Sequence, residues 1–219
     1  MSKLLTINVK NNQPQTQSFY FFQQPAIYAG GRQVYSNSLF SMALGSYSQT
    51  GAILTFQANL QYYAAIQQAN TPPQVGQQSG FASASRAIDL AGSGSPNDWT
   101  TATVSPLGLS APVNGPGVQP GAFRITTPSF NPWDLYNVGS ALAVNGGIVL
   151  SNFVQANPMY NIDCQPILKY FVQTGSYTPG TVMNFTQSSV NAALADFTSG
   201  HTTCNVTLNV DGTWSTQFQ

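Results

Sequence analysis

Glutamate is absent from this 219-residue chain, and histidine occurs once, at His201. General acid–base chemistry draws mostly on His, Glu, Asp and Lys held at hydrogen-bond distance, so an ordinary hydrolase is disfavoured. Charge is equally scarce. Lys and Arg number six, and the six acids are all aspartates: Asp89, Asp98, Asp134, Asp163, Asp196 and Asp211. Neither sign clusters, which leaves no electrostatic footprint for a phosphate backbone or an anionic membrane. Nucleic acid is therefore not an expected partner. No run of about 18 apolar residues occurs, so no transmembrane helix is expected.

Only two cysteines are present, Cys164 and Cys204. One reading joins them in a disulfide, and the other leaves them as reduced core thiols. The bond would close a loop of about 40 residues and stabilise the fold by about 3–4 kcal/mol. Asp196, His201 and Cys204 fall within nine positions and on paper supply an acid, a base and a thiol nucleophile. Such sets are defined by geometry, and three neighbours in sequence more often share a turn. Nor do one His and one Cys three residues apart complete a tetrahedral zinc site. No catalytic residue, metal or cofactor is assigned. Few apolar residues follow Lys3 before Asn8 and Lys10, so no signal-peptide core is expected. Three readings stay open: a mature or engineered form, a cytoplasmic protein, or one exported without a cleaved leader.

Uncharged polarity takes the place of charge. Asn, Gln, Ser and Thr together make up 81 residues, while 42% of the chain is hydrophobic and 12% aromatic. That is enough apolar material for a core, under a surface of amides and hydroxyls.

Alternation dominates the pattern. Leu5, Ile7 and Val9 alternate with polar residues, as do Val206 and Leu208, so both ends read as strands. Over 56–67, Phe56, Ala58, Leu60, Tyr62, Ala64 and Ile66 share one side, which predicts one long half-buried strand. Further strands are expected at 18–23, 33–44, 87–90, 100–104, 121–126, 147–155, 167–173 and 181–185. A three-residue loop at Val210, Asp211 and Gly212 pairs Leu208 with Trp214, Val206 with Thr216 and Cys204 with Phe218. It keeps apolar residues together and puts Gly212 at a left-handed position. A short helix is expected over 189–197, where Val190, Ala193, Leu194 and Phe197 repeat at helical spacing.

The fold class that follows is all-β: an antiparallel sandwich of Greek-key or jelly-roll type, with at most one short helix. Residues 1–219 are expected to form one domain, with a Pro- and Gly-rich stretch of long loops over 70–132.

The densest polar–aromatic cluster runs from Ser129 to Asn137 and supplies a candidate ligand site at Asn131, Trp133, Asp134 and Tyr136. Aromatic faces beside amides and a carboxylate can stack on a sugar ring and hydrogen-bond its hydroxyls. The opposing reading makes Trp133 a loop anchor, with Asn131 or Asp134 capping a turn. Tyr63, on the polar side of its strand, is a second exposed-aromatic candidate. Trp99 reads as a loop anchor, and Arg124 as the partner of an aspartate. The leading functional expectation is a non-enzymatic, lectin-like module for neutral glycans. A second is a membrane-active or self-assembling β protein, because residues 33–85 carry no charge and edge strands there lack protective lysines. A third is a thiol- or metal-dependent enzyme.

Overall fold

The computed structural model describes residues 4–30, 32–92 and 94–219; residues 1–3 of the N-terminal stretch read for a leader lie outside these. Half of the chain is strand and 5% is helix, in several packed sheets, so the fold is an all-β sandwich. Among the described residues there are two short helices, one more than expected, at Tyr47–Thr50 and Phe185–Val190. No helix among them is long and apolar enough to cross a membrane.

The largest sheet has ten strands. Its spine is the antiparallel hairpin of Leu135–Val144 and Gly147–Gln155. Along one flank of Leu135–Val144, residues 135–141 pair with Tyr63–Ala69, and Val144 pairs with Ala58 of Leu54–Asn59. Leu54–Asn59 in turn pairs with Leu4–Asn11, which runs parallel to Thr203–Leu208. Two smaller sheets cover this one. The four-stranded sheet is ordered Ala193–Asp196, Lys169–Thr174, Gln17–Gln23, Phe40–Leu44. The five-stranded sheet is ordered Leu107–Leu109, Trp99–Val104, Phe123–Thr126, Asn161–Gln165, Ile27–Tyr28, and contains one more parallel pair.

Two main cores result. In the first, Ile7, Val9, Phe56 and Val206 meet Phe19, Phe21, Tyr170 and Val172 of the four-stranded sheet. Phe21 and Phe56 stack with centroids 4.5 Å apart. In the second, Ala64, Ile66, Tyr136 and Val138 meet Ala102, Phe123, Ile125 and Ile162 of the five-stranded sheet. The segment expected as one strand over 56–67 crosses between them. It breaks into Leu54–Asn59 and Tyr63–Ala69, where the Asn59 side chain accepts a hydrogen bond from the Gln61 amide. The alternation survives the break: Phe56 and Ala58 enter the first core, Ala64 and Ile66 the second.

The disulfide expectation is corrected. Cys164 and Cys204 are both free and buried, because Cys204 lies in the first core and Cys164 in the second. Burial pushes the Cys164 thiol up to about 12 and the Cys204 thiol up to about 11. A thiolate is the reactive species, so native protein is expected to resist iodoacetamide and denatured protein to take up label at both cysteines. Mass spectrometry reads this directly, and rapid native labelling contradicts the packing described.

The helix expected at 189–197 is also corrected. Residues 185–190 form the helix, with the Asn184 side chain accepting from the Gln187 amide, while Ala193–Asp196 is a strand paired with residues 169–172. Ala193, Ala195 and Phe197 satisfy a period of two, and that side is buried in the first core. The C-terminal hairpin has the expected register, Leu208 with Trp214 and Cys204 with Phe218. Gly212 lies at φ +86°, where a side chain is strained.

Candidate functional site

One concave surface is an open groove of about 600 Å³. Three parts of the fold meet there. Tyr20 and Gln173 come from the four-stranded sheet, Gln187 and Ser188 from the helix Phe185–Val190, and Trp214 from the C-terminal hairpin. Tyr177, from the loop after Lys169–Thr174, completes the aromatic wall.

Each aromatic is fixed from behind. The Trp214 indole Nε1–H donates to the Asn191 carbonyl at 2.8 Å, and the ring meets Phe19 edge-on at 6.1 Å. Tyr20 stacks on Phe22 at 5.4 Å and meets Tyr177 edge-on at 5.1 Å. Burial raises the Tyr20 phenol above its ordinary pKa, so it stays neutral at physiological pH. Gln173 is held by donating to the Ser188 carbonyl at 3.4 Å. The exposed carboxamides of Gln187 and Asn191 make no side-chain hydrogen bond to another described residue. They are free donors and acceptors. Among the described residues no Lys, Arg, His, Asp or Glu lines the groove.

The residues singled out in the 129–137 cluster lie elsewhere. Asn131 shapes a turn: its side chain accepts from the Trp133 amide at 3.1 Å, and its carbonyl accepts from the Asp134 amide at 2.8 Å. This turn leaves the Trp133 ring 88% exposed. Asp134 is exposed too, whereas Tyr136 is buried beneath Phe130 at 5.0 Å. The structure therefore groups Asn131, Trp133 and Asp134 on one loop and removes Tyr136 from its surface. Tyr63, expected to be exposed, packs against a small core with Tyr35 and Phe153 because that face of the sheet is covered as well. Trp99 is an anchor, donating to Thr126 Oγ1 at 2.7 Å. Arg124 grips Asp163 with two bonds, at 2.6 and 2.8 Å.

The Asp196, His201 and Cys204 set does not assemble. Asp196 bonds Thr198 at 2.6 Å and Lys169 at 2.9 Å, His201 is exposed beside Phe218, and Cys204 is enclosed in the core. Among the described residues no three His, Cys, Asp or Glu side chains group to hold a metal. The Thr198 hydroxyl, aided by Lys169, holds the Asp196 carboxyl below its usual range. It thus adds stability above the unfolded aspartate pKa of about 3.9, and that stability fades as pH falls through the lower folded value. The two side chains are 34% and 31% exposed, so Asp196→Asn is expected to cost at most about 1 kcal/mol at neutral pH. The difference should vanish in acid, once pH lies below the lowered folded value. Urea unfolding at both pH values checks this, and an undiminished difference in acid contradicts it.

Fold and site together define an all-β sandwich protein with an uncharged, aromatic-walled groove. Comparison of the chain with protein-family models, with curated proteins and with solved structures finds no match.

Proposed function

We propose that the protein is a non-enzymatic, lectin-like recognition module that binds neutral glycans in the Trp214 groove. The observation that carries the reading is the groove's wall: Tyr177 and Trp214, backed by the buried Tyr20, set among amides and hydroxyls, with no charged side chain among the described residues. Its volume falls in the range of small-molecule sites. An aromatic ring offers an apolar face to a sugar's C–H groups, and Gln187 and Asn191 offer hydrogen bonds to its hydroxyls. The Asn131–Asp134 loop, where Trp133 is exposed, is the alternative place for the same chemistry, to be held only if the Trp214 groove fails the tests below.

A glycan array probed at about 0.1 M and about 1 M salt, where the Debye length falls from about 10 to about 3 Å, tests the reading. Binding to neutral glycans should be indifferent to salt because no ion pair is screened. Binding confined to sulfated or sialylated glycans, or lost in high salt, contradicts it.

One observation favours a second reading, self-assembly. Phe40–Leu44 is an edge strand of the four-stranded sheet. Met42 and Ile53 are 51% and 53% exposed beside it, along a hollow of about 460 Å³. No charged residue blunts this edge. Sedimentation velocity over a wide concentration range distinguishes the two: a monomer throughout removes assembly and leaves glycan binding in place.

A further inference from the structure

Two hollows meet at Tyr177. One is the Trp214 groove; the other, of about 250 Å³, is walled by Gly76, Ser176, Thr178 and Thr181. Tyr177 lines both, so it is a ridge between neighbouring depressions. The second depression is also free of charge, and hydroxyls predominate on its wall.

The ridge is held rigidly. Before it, the Gly175 amide donates to the Ser18 carbonyl at 2.8 Å. At it, the Ser38 hydroxyl donates to the Tyr177 carbonyl at 2.9 Å. After it, the Gly180 amide donates to the Ser38 carbonyl and the Ser38 amide to the Thr181 carbonyl, both at 2.9 Å. The wall of the second hollow is locked as well: Gln78 Nε2 donates to Thr181 Oγ1 at 2.9 Å, and the Thr178 and Thr181 hydroxyls lie 2.9 Å apart. A surface ordered before binding loses little entropy when a ligand arrives.

We infer that the site takes an extended neutral oligosaccharide. One sugar unit sits against Trp214, and the chain crosses Tyr177 to place further units among Ser176, Thr178 and Thr181. This rests on the neutral-glycan reading of the groove and extends it from a sugar to a chain of sugars. A unit docked in one hollow delivers the next unit to the other at high effective concentration, so affinity rises with chain length.

The test is isothermal titration of the native protein with mono-, tri- and hexasaccharides of the α-1,4-glucan, β-1,4-glucan and β-1,4-mannan series. Ser176→Leu is the companion variant: Ser176 is exposed, lines the second hollow and not the first, and its side chain is bonded to no other described residue, so the branched aliphatic chain obstructs the second hollow and offers no ring for a sugar to stack on. In the series that binds, the hexasaccharide should exceed the monosaccharide by about tenfold or more. Ser176→Leu should reduce that advantage and leave monosaccharide affinity unchanged. Equal affinity at all lengths, or a hexasaccharide indifferent to Ser176→Leu, overturns the extended site while leaving the glycan reading intact. No binding in any series contradicts both.

Discussion

Gly139→Ala is expected to destabilise the protein by about 3 kcal/mol or more. Gly139 lies in the spine strand Leu135–Val144, where it pairs with Phe153. A Cβ there would collide with the Asn152 carbonyl oxygen and the Tyr28 hydroxyl, and would sit 2.7 Å from the Phe153 Cα. Two of the three obstacles are backbone and cannot rotate away. The third is a junction between sheets. Tyr28 reaches in from the edge of the five-stranded sheet, donates to the Asn152 carbonyl at 2.8 Å and accepts from the Ser140 amide at 3.3 Å. It is buried, and desolvation raises its phenol well above the ordinary pKa. The added methyl would push it off partners that no solvent replaces. Urea unfolding followed by tryptophan fluorescence measures the loss, and a change under about 1 kcal/mol contradicts this account of the junction.

Trp214→Ala is expected to weaken neutral-glycan binding by about 30-fold or more, which corresponds to the roughly 2 kcal/mol that marks an aromatic hot spot. The indole is held at the groove by Asn191 and Phe19, so its face is presented with little freedom left to lose. Truncation also unpacks part of the first core, which Trp214 adjoins, and some loss of thermal stability will accompany it. Gln187→Ala and Asn191→Ala separate the two effects. Both side chains are exposed and bonded to no other described residue, so truncating each should reduce affinity with no change in melting temperature. Trp133→Ala should leave binding as it was. If it abolishes binding and Trp214→Ala does not, the site is the Asn131–Asp134 loop.

Elements buried on one face were legible in the sequence. The terminal strands and the Leu208–Trp214 register follow from a period of two with one side polar, and Gly212 marks its own turn. The spine strand Leu135–Val144 was not legible. Both of its faces are buried, one in the main cores and the other in the small core around Ala65 and Phe153, so apolar residues do not alternate, and Asn137, Gly139 and Ser140 interrupt the run. Its start was read as part of a binding loop, which is why Tyr136 was placed on the surface. Within 70–132 the strands Trp99–Val104 and Phe123–Thr126 fall where 100–104 and 121–126 are expected, whereas the expectation over 87–90 is corrected: the strand is Ala82–Ala87, whose alternating Ala and Ser carry little apolar contrast. The groove had no local signature at all. It is assembled from Tyr20, Gln173, Tyr177, Gln187 and Trp214, which are far apart in the chain except for Gln173 and Tyr177. The cluster around Trp133 was conspicuous because its members are adjacent in sequence. One signal does exist: the hairpin register pairs Trp214 with Leu208, which places an indole where the C-terminal hairpin meets the four-stranded sheet.

The three tryptophans, Trp99, Trp133 and Trp214, give three indole N–H resonances, and these allow the most direct test of the central claim. The neutral glycan bound best on the array is titrated into labelled native protein while all three are followed, assigned with single Trp→Phe variants. The account predicts that the Trp214 resonance moves and saturates while those of Trp99 and Trp133 stay in place. A shift confined to Trp133, or none at Trp214 at saturating glycan, contradicts it.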